Sequence, residues 1–135
     1  MLKLYRGMLI AMLMLHGLWF FVPWFSWLFP DAIDAMYWSG YGARMGYGVM
    51  VISMLISAGL YFLAYIGMIF LFRPARTLHV LLVLATPLLS VAYGVGVFSP
   101  VEVMFLNLLG LCDGFVVALG FFTSVNERFI SNPSR

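Results

Sequence analysis

Apolar residues fall in four long runs, and polar residues collect in the breaks between them. The runs cover about 5–29, 48–72, 78–98 and 100–126, with the longest break at 30–47. Each run matches or exceeds the roughly 20 residues a helix needs to cross the hydrocarbon of a bilayer. In lipid a spanning segment must satisfy its own backbone polar groups, and an isolated segment does so only as an α-helix. The pattern predicts one domain over residues 1–135. It is an all-α, integral membrane bundle of four transmembrane helices with an external loop at 30–47.

Composition strengthens this. Hydrophobic residues make up 64% of the 135 and charged residues 9%, where soluble domains carry about 25% charged residues. The bilayer is therefore the expected solvent. Charge sets the direction of threading. Lys3, Arg6, Arg73, Arg76, Arg128 and Arg135 share one side, and Arg44, Asp31, Asp34 and Glu102 share the other. Basic loops stay inside, so both termini are expected to be cytoplasmic. The first run is too long for the h-region of a signal peptide, and no A-x-A site follows it. It is expected to remain as a membrane helix.

Local signals refine the segments. Pro23 should kink the first, and Trp24, Trp27 and Phe29 suit an aromatic belt at its end. The loop holds Asp31, Asp34 and Arg44 and has the spacing of a short interfacial helix. The second segment is expected to stop at Arg73-Pro74. Residues 73–79 then form a tight basic turn, with His79 at the interface, titrating freely. Pro87 should kink the third segment. Ser99-Pro100-Val101-Glu102 has the form of a capping box and fixes the start of the fourth. The polar tail from Glu127 is expected to fray.

The least expected residue is Asp113, at the centre of the fourth segment. A carboxylate there costs on the order of 2.5–3.5 kcal/mol on insertion scales, so it should face the bundle interior. Similar depths hold His16 in the first segment, Ser57 and Tyr61 in the second, and Thr86 and Ser90 in the third. Together they form a candidate polar layer for a proton or a ligand. His16 is the candidate partner of Asp113. Three arrangements are open: a proton- or ligand-handling His–Asp pair, a pair that only fixes helix register, or a protonated Asp113 bonded to a hydroxyl or carbonyl. Gly110 and Gly114 bracket Asp113 in a GxxxG pattern, and Thr86, Ser90 and Gly94 repeat every four residues. Such small residues are expected to let helices pack closely.

Enzyme chemistry is not expected. No nucleophile elbow, paired catalytic carboxylates or phosphate-binding loop occurs. The single cysteine, Cys112, forms no metal-ligand spacing, so no metal and no cofactor is anticipated. No basic run supports nucleic-acid binding. In size and hydropathy alone the chain resembles small bacterial inner-membrane proteins, which implies a multi-pass protein of that membrane. The expected role is non-enzymatic binding within the bilayer, with a membrane-protein partner or as a homo-oligomer. It would be an accessory subunit of a membrane complex or an immunity- or inhibitor-type binder. The alternative is a small oligomeric transporter or proton or ion channel using Asp113 and His16.

Overall fold

The fold is taken from a computed structural model, which describes residues 1–21, 46–93 and 100–131. Among these, five helices and no strands occur: α1 (Leu2–Phe21), α2 (Tyr47–Ile69), α3 (Arg73–Tyr93), α4 (Pro100–Phe122) and the short α5 (Val125–Ser131). The first four are long and apolar enough to cross a membrane. The expected Pro23 kink, the loop over 30–45, Gly94 and Ser99 lie outside the described residues.

The four long helices form an up-and-down bundle. α1 packs against α2 and α4, and α3 against α2 and α4. Side-chain contacts give the directions. Tyr5 donates to the Met68 sulfur (3.3 Å) while His16 stacks on Tyr61, so α1 and α2 are antiparallel. Tyr5 lies beside Gly120 and Trp19 beside Phe105, so α1 and α4 are antiparallel too. The buried seam follows the coiled-coil spacing of four and three residues. Tyr5, Leu9 and Met12 continue to His16 on α1, and Leu109 leads through Asp113 to Val116 on α4. Ala75, His79 and Leu82 supply the same seam on α3. The outer faces are apolar as well: Leu88 and Leu111 are each 74% exposed, and Leu81, Leu84, Ile52, Ile56 and Leu63 also face outward. Contiguous apolar surface of this kind has no place against water. The two buried polar side chains, His79 and Asp113, sit at the centre of this apolar bundle.

The α2–α3 connection corrects the expected turn at 73–79. α2 ends in a Schellman motif: the Phe72 amide donates to the Gly67 carbonyl (2.9 Å) and the Leu71 amide to that of Met68 (3.0 Å). Leu71 takes the left-handed conformation the motif requires, with φ of 60°. That costs a non-glycine residue roughly 1–2 kcal/mol, offset by the two satisfied carbonyls and by Leu71 packing on the core. α3 then begins at once at Arg73. Pro74 has no amide hydrogen to lose, and the first turn of a helix accepts it for that reason. A Cβ on Gly67 would collide with that of Ala75, so glycine lets the two helices close right behind the turn. His79 consequently sits two turns into α3, buried, and not free at the interface.

The chain also departs from expectation after the fourth span. α4 stops at Phe122 because Thr123 turns the chain: its hydroxyl donates to the Leu119 carbonyl (2.6 Å) and accepts from the Val125 amide (3.2 Å). The polar tail does not fray at Glu127: as far as Ser131 it belongs to α5, anchored by the fully buried Phe129 against Tyr5, and residues 132–135 lie outside the described residues.

At this end of the bundle three arginines cap helix C-termini. Arg6 Nε donates to the Ile69 carbonyl of α2 (3.2 Å), Arg76 Nη1 to Gly120 of α4 (3.0 Å), and Arg73 Nε to Phe129 of α5 (2.7 Å). The last carbonyls of a helix lack intrahelical partners and carry its negative dipole end, so cations satisfy both needs. The residues that mark the basic side of the sequence therefore also close the helices there.

Candidate functional site

Asp113 and His79 are the only buried residues of polar or charged type among those described, at 5% and 1% exposure. They meet. His79 Nε2 lies 2.9 Å from Asp113 Oδ1. The same oxygen accepts the Tyr65 hydroxyl at 2.6 Å. Tyr65 in turn lies 3.3 Å from His16 Nδ1, which is also 3.2 Å from the Met12 carbonyl. Four side chains from four helices thus form one hydrogen-bonded path: His16 on α1, Tyr65 on α2, Asp113 on α4 and His79 on α3.

The donor assignments follow from the chemistry of the groups. The Met12 carbonyl can only accept, so His16 Nδ1 carries the proton. The Tyr65 hydroxyl has one proton and gives it to Asp113, so its oxygen accepts from His16. With Asp113 as a carboxylate, its oxygen only accepts, and His79 Nε2 is then the donor of that bond. The side-chain bonds of the path then point toward Asp113, and the single Nδ1–H of His16 is shared with the Met12 carbonyl. A network in a low-dielectric interior is costly when half-satisfied and strong when complete, and here both donors converge on one oxygen.

Aromatic rings enclose the path. His16 stacks on Tyr61 with centroids 5.0 Å apart and an interplanar angle of 29°. Tyr65 packs between the two histidines, 5.1 Å from His16 and 5.2 Å from His79. Tyr61 meets His79 edge-on at 6.2 Å. Tyr61 also extends the layer. Thr86 gives its hydroxyl proton to the Leu82 carbonyl (2.8 Å), so Tyr61 donates to Thr86 Oγ1 (3.0 Å). The back-bond falls beside Val83, whose helical bond Pro87 removes.

The expected layer is thus rearranged. Asp113, His16, Tyr61 and Thr86 are brought together, but His16 and Asp113 do not bond directly, because the Tyr65 hydroxyl stands between them. Ser57 is half-buried and joins no bond of the layer among the described residues. Ser90 is exposed and donates to the Pro87 carbonyl (2.7 Å). Gly110 and Gly114 are exposed, and a Cβ on either would meet nothing within 4 Å, so they pack no neighbouring helix among the described residues. Asp113 faces inward through the seam of Leu109 and Val116, not through Gly110 and Leu106.

Two members escaped the sequence reading, Tyr65 and His79. The signal for both was the four–three spacing. Ala75-His79-Leu82-Thr86 becomes visible once α3 starts at Arg73, and Tyr61-Tyr65-Met68 repeats it on α2. Cys112 precedes Asp113 and is half-buried and free. Among the described residues no cluster of three or more histidine, cysteine, aspartate or glutamate side chains forms a metal site. In comparison with known proteins, the chain matches no family model, no curated protein and no solved structure.

Proposed function

We propose that the chain is a small multi-pass membrane protein of the bacterial inner membrane, with both termini cytoplasmic, that handles protons without enzymatic catalysis. The observation that carries this reading is the path from His16 through Tyr65 to Asp113. His16 is the half-buried end and His79 the sealed one. A proton arriving on His16 Nε2 lets Nδ1–H pass to the Tyr65 oxygen, while Tyr65 passes its own proton to Asp113. The products are a neutral His16 of the other tautomer, an intact Tyr65 hydroxyl and a neutral carboxylic acid. Asp113 then has a proton of its own to donate, and its bond with the N–H of His79 must rearrange. Intramembrane carboxylates and histidines are suited to such relays. Within one subunit the path ends at the sealed His79, so release of the proton on the far side needs a homo-oligomer, the expected working form. Purified protein in liposomes should dissipate an imposed pH gradient, and Asp113→Asn should return the rate to that of protein-free vesicles. Wild-type vesicles no leakier than empty ones would remove the reading.

A second reading rests on a different observation: the Gly110 and Gly114 surface of α4 is open on the outside of the bundle. Small residues four positions apart let another helix approach closely in lipid. This favours an accessory subunit or an immunity- or inhibitor-type binder docked through α4. Crosslinking in native membranes should then yield a defined adduct, and Gly110→Leu should abolish it. An adduct that survives Gly110→Leu, or none in the wild type, would count against docking through α4.

A further inference from the structure

We propose that the basic end of the bundle holds a binding site for the headgroup of an anionic phospholipid, built from Lys3 and Arg6 of α1 and the α2–α3 turn. The inference rests on the membrane reading above. Lys3 and Arg6 are both exposed and stand three residues apart, on one face of the helix. The Arg6 Nε–H is held on the Ile69 carbonyl (3.2 Å), which fixes the guanidinium against the end of α2 with its terminal nitrogens still to be matched. Lys3 forms no ion pair or hydrogen bond among the described residues.

Beside these cations the turn presents Phe70 and Phe72, 72% and 53% exposed, and α1 presents Leu4. Exposed aromatics next to cations belong at the boundary between acyl chains and headgroups, where the rings cover glycerol and chain and the cations meet phosphate. The charge balance selects anionic over zwitterionic lipid. Among the described residues, this end carries Lys3, Arg6, Arg73, Arg76 and Arg128 against a single acid, Glu127. Glu127 lies with Met1, Leu2 and Ser124 along a surface groove of about 290 Å³. Arg73 and Arg76 are already engaged in capping α5 and α4. Arg6 also caps a helix, but its terminal nitrogens take no carbonyl, and with Lys3 they lie beside the exposed rings of the turn, where a lipid headgroup would meet them.

The test is a titration of the full-length protein in neutral detergent with phosphatidylglycerol or phosphatidylcholine, read by native mass spectrometry. Phosphatidylglycerol should bind in preference. Each basic group near an anionic headgroup contributes on the order of fivefold, so Lys3→Gln should weaken binding about fivefold and the Lys3→Gln/Arg6→Gln pair about 25-fold. Lys3→Gln leaves the Arg6 cap intact and keeps the result independent of folding. Equal binding of both lipids, or unchanged phosphatidylglycerol binding in the double variant, would overturn the site. Competition by equimolar inorganic phosphate would assign it to a free anion instead. Insertion into phosphatidylcholine vesicles is scored separately: a protein that inserts but does not discriminate loses only this site, and one that fails to insert loses the membrane reading as well.

Discussion

Asp113→Ala should destabilise the bundle by several kcal/mol, about 1–3 for each of the two donors it strands. Those donors are the Tyr65 hydroxyl and the His79 N–H, both held on Oδ1 in the native bundle. A second effect acts on the unfolded but inserted state. There the aspartate faces lipid at a cost of about 2.5–3.5 kcal/mol, which folding relieves. Alanine removes that cost from the unfolded state and lowers the stability of the fold again, so the two effects add. Asp113→Asn should be far milder, because an acceptor oxygen remains and an interhelical hydrogen bond in a membrane is worth about 0.6 kcal/mol on average. Unfolding by increasing SDS in mixed micelles separates the variants, since it starts from inserted helices. Alanine and asparagine variants of equal stability would mean that the carboxylate does not organise the bundle.

Arg76→Leu should release α5, with a loss of about 2–4 kcal/mol from its charged hydrogen bonds and cation–π contacts. The guanidinium lies 4.2 Å from the centroid of Phe121 and 4.8 Å from that of Phe129. Its Nη1 donates both to the Gly120 carbonyl and to Asn126 Oδ1, at 3.0 and 2.6 Å. Its Nε is buried and has no partner, so the fork is only partly used. Arg76→Lys should recover less than half of the loss, because an ammonium cannot lie flat between two rings while reaching both acceptors. The readout is tryptic cleavage after Arg128 in protein-containing micelles. It should be slow in the wild type and fast in Arg76→Leu. Cleavage at the wild-type rate would show that α5 is held by Phe129 alone.

The four runs of apolar residues were legible because a helix long and apolar enough to cross lipid has one characteristic length and one backbone solution. Asp113 and His16 stood out for the same reason, as polar atoms at depth. What could not be read was which face of each helix turns inward. In a soluble helix the apolar stripe marks the core; here both faces are apolar, and only the polar seam residues differ. His79 was misplaced for a local reason. Arg73-Pro74 reads as a stop, yet Pro74 suits a first turn equally well, and the true stop is a leucine in a left-handed conformation that no glycine announces. Gly110 and Gly114 suggested packing within the bundle, while the four–three spacing through Asp113 turns them outward. The arginines were read as markers of the cytoplasmic side. Their role as caps for the ends of other helices depends on tertiary neighbours that spacing does not reveal.

In the proposed relay Tyr65 couples His16 to Asp113. Tyr65→Phe tests it most directly, since it removes one oxygen and leaves the ring packed between the histidines. Proton flux should be measured in liposomes holding equal amounts of folded wild-type and Tyr65→Phe protein, each driven by the same pH gradient. Wild type should conduct, and Tyr65→Phe should fall to the leak of protein-free vesicles while unfolding at nearly the same SDS fraction as wild type. A Tyr65→Phe protein that conducts like the wild type would contradict the relay.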